Sequence, residues 1–108
     1  MKIAAKLVCI QDDILLYKEK YNKLVYNLEQ LNKLARDLNN SYVKSFNKEN
    51  YSYFNNINDL VSYRLELTDN LIKCNEKINV LSKDLNFINN RLIELYNDYV
   101  NHKILLNK

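Results

Sequence analysis

Apolar residues recur along this chain at alternating steps of three and four. One series runs Ile3, Leu7, Ile10, Ile14, Tyr17, Tyr21, Leu24, Leu28, Leu31, Ala35, Leu38 and Tyr42. A second runs Ile57, Leu60, Arg64, Leu67, Leu71, Cys74, Ile78, Leu81, Leu85, Ile88, Leu92, Leu95, Tyr99, His102 and Leu106. A mean step of about 3.5 residues held this long is the coiled-coil pattern. It predicts two helices of about 60 and 75 Å at 1.5 Å per residue.

The two series are out of phase. Carried past Tyr42, the first would put Ser45, Glu49, Ser52, Asn56 and Asp59 in the seam, leaving nothing apolar to bury. The chain is therefore expected to turn back rather than continue as one rod. The predicted fold is all-α: an antiparallel two-helix coiled-coil hairpin, completed to a three- or four-helix bundle by a third segment or a partner. The chain reads as a single helical domain over 1–108, with helix 1 at about 3–46, a turn at about 47–52 and helix 2 at about 53–106. Asn47, Asn50 and Ser52 are the expected turn and capping residues.

Two registers of the hairpin compete, with Leu7 and Arg64 each at heptad position a. One matches Leu38 with Ile57 and Leu28 with Leu67. It opposes Lys6 with Arg91, Asp13 with Asp84 and Lys20 with Lys77, all like-charged. The other matches Tyr42 with Leu60, Leu28 with Cys74, Tyr21 with Leu81 and Ile10 with Leu92. It opposes Lys6 with Asp98, Asp13 with Arg91 and Lys20 with Asp84, all opposite. Exposed pairs contribute only about 0.2–1 kcal/mol each. They select the second register, which centres the reversal near Tyr51.

Composition sharpens this picture by exclusion. The chain has no Gly and no Pro, so phosphate-cradling loops and glycine turns are missing. Its net charge of +3 comes from 16 basic and 13 acidic residues mixed along the sequence, without the one-signed stripe of a nucleic-acid interface. No apolar run approaches the roughly 20 residues of a membrane span. In "MKIAAKLVCI" the apolar stretch is cut short by "QDD", so it does not read as a secretory signal. Cys9 lies off the seam and Cys74 on it, which disfavours a disulfide. A cytoplasmic setting is expected, with a nuclear one also open.

Candidate chemistry is sparse. His102 is the single histidine, and the carboxylates are scattered except for adjacent Asp12 and Asp13, so no metal set or catalytic dyad assembles. No cofactor and no enzymatic activity are expected. Arg64 occupies a core position. Either it forms a polar layer that fixes register or meets a partner's carboxylate, or its stem packs and its guanidinium reaches water near Asn39, with Ala35 leaving room. The aromatic turn residues Phe46, Tyr51, Tyr53 and Phe54 could form a contact knob or plug the end of the hairpin.

More informative is a second apolar set. Val8, Leu15 and Leu16 lie off the first seam, and Leu65, Ile72, Val80, Phe87, Ile93 and Val100 lie off the second. Two helices cannot bury both faces, so these nine are the candidate partner-binding residues. A third packing element, formed if helix 2 breaks at "NFINN" (Asn86–Asn90), would be the alternative. The unbroken spacing of Leu85, Ile88, Leu92 and Leu95 opposes such a break.

Lys2-Ile3, Leu7-Val8, "LYKEK" (Leu16–Lys20), "ENY" (Glu49–Tyr51), Arg64 and Asp69 together resemble tubulin-binding cofactor A. Where that family carries a mid-helix proline, this chain reads "LTD" (Leu67–Asp69). The resemblance implies a small three-helix chaperone that holds β-tubulin during folding. The residues themselves point to a non-enzymatic interaction or scaffold subunit that contacts another helical chain or itself. Nucleic-acid binding is the least supported alternative.

Overall fold

The computed structural model describes residues 2–47 and 56–108. These form two helices, α1 (Lys2–Lys44) and α2 (Ile57–Leu106), with no strand among the described residues. The fold is an all-α helical hairpin. Asparagine is a poor helix former and common here, so the apolar seam rather than intrinsic propensity sustains helices of 43 and 50 residues.

The ends are closed locally. Asn56 Oδ1 accepts a hydrogen bond from the Asp59 amide at 2.9 Å, capping α2. Asp59 in its first turn and Lys103 in its last complement the helix dipole, as Lys44 does for α1. Beyond Lys44 the amides of Phe46 and Asn47 reach back three residues, to the carbonyls of Val43 and Lys44 at 3.2 and 3.0 Å. Of the expected turn residues, Asn50, Tyr51 and Ser52 lie outside the described residues, as do Tyr53 and Phe54. The cap of α2 is Asn56, which the sequence reading placed in a hypothetical seam.

The seam itself is as expected. Every member of the first series is buried or half-buried, as is every member of the second except the terminal Ile57 and Leu106. α2 runs unbroken through Asn86–Asn90. The break that would have made a third helix is absent, because Ile88, Leu92 and Leu95 keep the heptad continuous and buried there.

Two compact units divide the chain. The first joins the start of α1, up to Asn27, to α2 from Leu81 onward; the second spans Leu28–Val80. In the first, Ile14, Ile88, Leu92 and Leu95 form the core, with Ile10, Tyr17, Tyr21, Leu24 and Tyr99 packed against it. In the second, Leu60, Leu67 and Cys74 are buried. The Cys74 thiol donates to the Leu31 carbonyl at 3.3 Å.

The register differs from the one the charges select. That register would set Ser45 level with Ile57 and Gln11 level with Arg91. Instead Ser45 meets Arg64, and Gln11 Nε2 reaches the Tyr99 hydroxyl at 3.5 Å. In each unit α2 is displaced by about one heptad. Lys6–Asp98, Asp13–Arg91 and Lys20–Asp84 do not pair; among the described residues the ion pair is Arg91–Glu94, 3.1 Å apart on one helix. A slide of seven residues preserves every a–d layer, so the apolar seam barely distinguishes the registers. Weak exposed charge pairs are then outweighed by a single core residue that demands acceptors.

That residue is Arg64. Its Nη2 donates to the Ser45 carbonyl at 2.8 Å and its Nε to the Ser45 hydroxyl at 3.2 Å. The hydroxyl in turn donates to the Tyr42 carbonyl. Ser45 is 3% exposed, and no buried side-chain nitrogen or oxygen among the described residues lacks a partner. The guanidinium does not emerge beside Asn39 but sits at the C-terminal end of α1, where helix carbonyls lack partners and the dipole is negative.

Candidate functional site

Heptad letters divide the surface of each unit into two lateral sides. Positions e and b flank the seam on one side, g and c on the other. Side-chain contacts verify the division in the first unit. Lys18 and Tyr96, both at e, meet with the ammonium 5.5 Å from the ring centroid. On the opposite side Lys20 and Asp84 (both g) line one groove with Lys23 and Phe87 (both c), floored by Tyr17, Leu24 and Ile88. In the second unit, Asn32, Arg36, Asn39 and Asn75 line a groove on the e/b side. Leu34, Asn70, Lys73 and Lys77 line one on the g/c side.

All nine off-seam apolar residues are exposed, from 47% for Leu16 to 69% for Phe87. They do not form one stripe. Val8, Leu15, Ile93 and Val100 share the e/b side of the first unit, where Tyr96 is also 40% exposed. Leu65 and Ile72 share the e/b side of the second, joined by exposed Val43, Phe46 and Val61. Leu16 and Phe87 fall on the g/c side of the first unit, and Val80 on that of the second. The sequence reading missed Tyr96, Val43 and Val61, because their significance depends on which rows of the two helices lie side by side.

Charge is distributed just as unevenly. On the e/b side of the first unit the charged residues are Lys18 and Lys103, each resting over a tyrosine ring. The remaining polar groups there are neutral: Gln11, Asn22, Ser82, Asn86, Asn89 and Asn107. The g/c side of the same unit carries Lys2, Lys6, Asp13, Lys20, Lys23, Asp84, Arg91, Glu94, Asp98 and Lys108. Depletion of charge beside exposed aliphatic and aromatic residues is the composition of an interface core. The opposite side has the composition of a solvated surface.

The residues with chemical potential are occupied structurally. The Arg64 guanidinium also stacks on Phe46, 4.0 Å from its ring centroid, and Phe46 meets Tyr42 edge-on at 5.1 Å. Phe46 is thus tied into the end of α1. His102 Nδ1 donates to the Asp98 carbonyl of its own helix at 2.7 Å. Arg91 is held further into its protonated range by its hydrogen bond to Glu94, with Tyr17 adding to the effect. Cys9 is exposed and Cys74 buried, both as free thiols. Among the described residues no group of three His, Cys, Asp or Glu side chains converges on a metal-sized site. No helix of the described residues is long and apolar enough to cross a membrane. Compared with family models, with curated proteins and with solved structures, the chain matches none.

Proposed function

We propose that this chain is a non-enzymatic interaction or scaffold subunit, which works by lending a preformed helical face to another helical chain or to a second copy of itself. One observation carries this reading: the e/b side of each unit combines exposed apolar residues with few charges. Exposed apolar surface in that arrangement favours association, since burying it gains roughly 25 cal/mol per Å². The helices need no partner to define their seam, so the face is in place before binding, which lowers the ordering cost of association.

The test is the mass of the chain at high concentration, alone and after incubation with cell lysate. A rise in mass through association with itself or with a helical protein supports the reading. A chain that stays monomeric in both conditions overturns it. A monomer that retains β-tubulin would favour the chaperone alternative instead.

A further inference from the structure

We propose that the partner of the first unit's e/b side is a different chain: an amphipathic helix whose apolar stripe carries a carboxylate towards each end. The proposal rests on the interaction reading above and gives that partner its chemistry. The distribution of charge over the four lateral sides selects it.

Three of those sides carry charges of both signs among the described residues. On the g/c side of the first unit Lys20 and Asp84 line one groove. In the second unit Glu29 and Arg36 share the e/b side, and Asp37 and Glu66 accompany Lys73 and Lys77 on the g/c side. Sides of that kind balance their own charge. The e/b side of the first unit does not. Its charges are Lys18 and Lys103, both exposed, and among the described residues no carboxylate pairs with either. Asp12 and Glu19 fall at heptad position f, on the back of α1.

The two lysines also bracket the apolar patch. The helices are antiparallel, Lys18 follows Leu15 along α1, and Lys103 follows Val100 along α2. They therefore stand at opposite ends of the surface made by Val8, Leu15, Ile93, Tyr96 and Val100. Each ammonium leans over a ring, Lys18 over Tyr96 at 5.5 Å and Lys103 over Tyr99 at 5.9 Å. An ammonium has three donors, so one resting on a ring face can still bind an incoming acceptor.

A docked helix covers those cations as it covers the patch. An uncharged helix would take their water and return nothing, and a basic one would repel them. A carboxylate at each end replaces the lost water with charge-assisted hydrogen bonds. The apolar contact supplies most of the affinity, while the paired charges select the partner and its placement. Two lysines fall short of the clusters of about four to eight that mark an anionic lipid surface.

Two synthetic helical peptides test this on the full chain, by fluorescence anisotropy at low salt. They share one leucine stripe; one has glutamate towards each end of it and the other lysine. The glutamate peptide is expected to bind about tenfold tighter, the scale of two exposed ion pairs against two repulsions. Lys18→Glu with Lys103→Glu is expected to reverse the preference, which a loss of folding could not do. Phe87→Glu, on the g/c side, should leave both affinities within about threefold, as changes outside an interface do. Binding that responds to Phe87→Glu and not to the lysine reversal overturns the face while leaving the interaction reading intact. Equal affinities for the two peptides overturn the acidic partner and again leave that reading. So does a chain that forms dimers and binds neither peptide. Retention on phosphatidylserine vesicles with neither peptide bound overturns both, as does a monomer that binds nothing.

Discussion

Arg64 reaches across from α2 to donate to the Ser45 carbonyl at 2.8 Å, and its ring-stacking partner Phe46 is the very next residue. A charged side chain in a heptad core position is thereby satisfied by the free end of the opposing helix. Only one register brings the two together, so this contact specifies the pairing more firmly than the seam does.

Replacing Arg64 should therefore cost stability beyond the loss of a surface cation. Arg64→Ala removes both hydrogen bonds to buried Ser45, which costs about 1–3 kcal/mol. Arg64→Lys should recover only part of this, because an ammonium cannot bridge carbonyl and hydroxyl while stacking on Phe46. Urea denaturation followed by helical circular dichroism measures both. A loss below about 0.5 kcal/mol, the level of an ordinary surface substitution, would contradict the assignment.

Leu95 is the least exposed residue of the first unit's core, at 2%, packed with Ile14, Ile88 and Leu92. Leu95→Ala should cost about 2–5 kcal/mol. That is a large share of the 5–15 kcal/mol typical of a domain. Leu105→Ala, on a side chain that is 52% exposed, should change the same melting curve little. Equal effects would mean that the cluster is not where the energy lies.

The two cysteines should differ sharply in reactivity. Cys9 is exposed, whereas Cys74 is 3% exposed and bonded to the Leu31 carbonyl. A thiol reagent is expected to label Cys9 at once in the native protein and Cys74 only as the second unit opens. Simultaneous labelling of both would show that the seam around Leu31 is not closed.

Asn56 caps α2 through the Asp59 amide. Asn56→Ala should cost about 1 kcal/mol and Asn56→Asp or Asn56→Ser almost nothing. Melting temperatures of the three variants give the comparison, and an Asp variant as unstable as the Ala one would rule out capping.

The stability of the first unit should also be nearly indifferent to salt. The ion pair among the described residues, Arg91–Glu94, is exposed and lies on a single helix. Raising ionic strength to about 0.5 M, where screening reaches only a few Å, should leave hydrogen-exchange protection in the first unit almost unchanged. A strong decrease would show that charge pairs between the helices hold the register after all.

Much of the fold was legible because the heptad period is a property of the sequence alone. The steps from Ile3 to Tyr42 and from Leu60 to His102 name the residues that the structure buries or half-buries. Their off-seam neighbours, Val8 and Ile93 among them, were legible as exposed for the same reason. Register was not, because shifts of one heptad leave the apolar layers matched, and the alternatives differ by a few weak terms. Lys6, Asp13 and Lys20 voted for one answer with small energies, while the need of Arg64 for acceptors decided for another. The role of Ser45 was hidden because a serine reads as a break in the seam until an arginine is found facing it. The lateral asymmetry was hidden for a similar reason: rows e and b of two helices become one surface only after the helices are aligned.

The charged side of the first unit has a consequence for how large an assembly can grow. Once the e/b side of the first unit is covered by a partner, what the unit still presents is the side bearing Lys20, Asp84, Arg91 and their neighbours. Those charged side chains keep their hydration, so Leu16, Phe87 and Leu105 among them make a poorer contact than the covered side. Assembly through this unit then favours one partner over a growing filament.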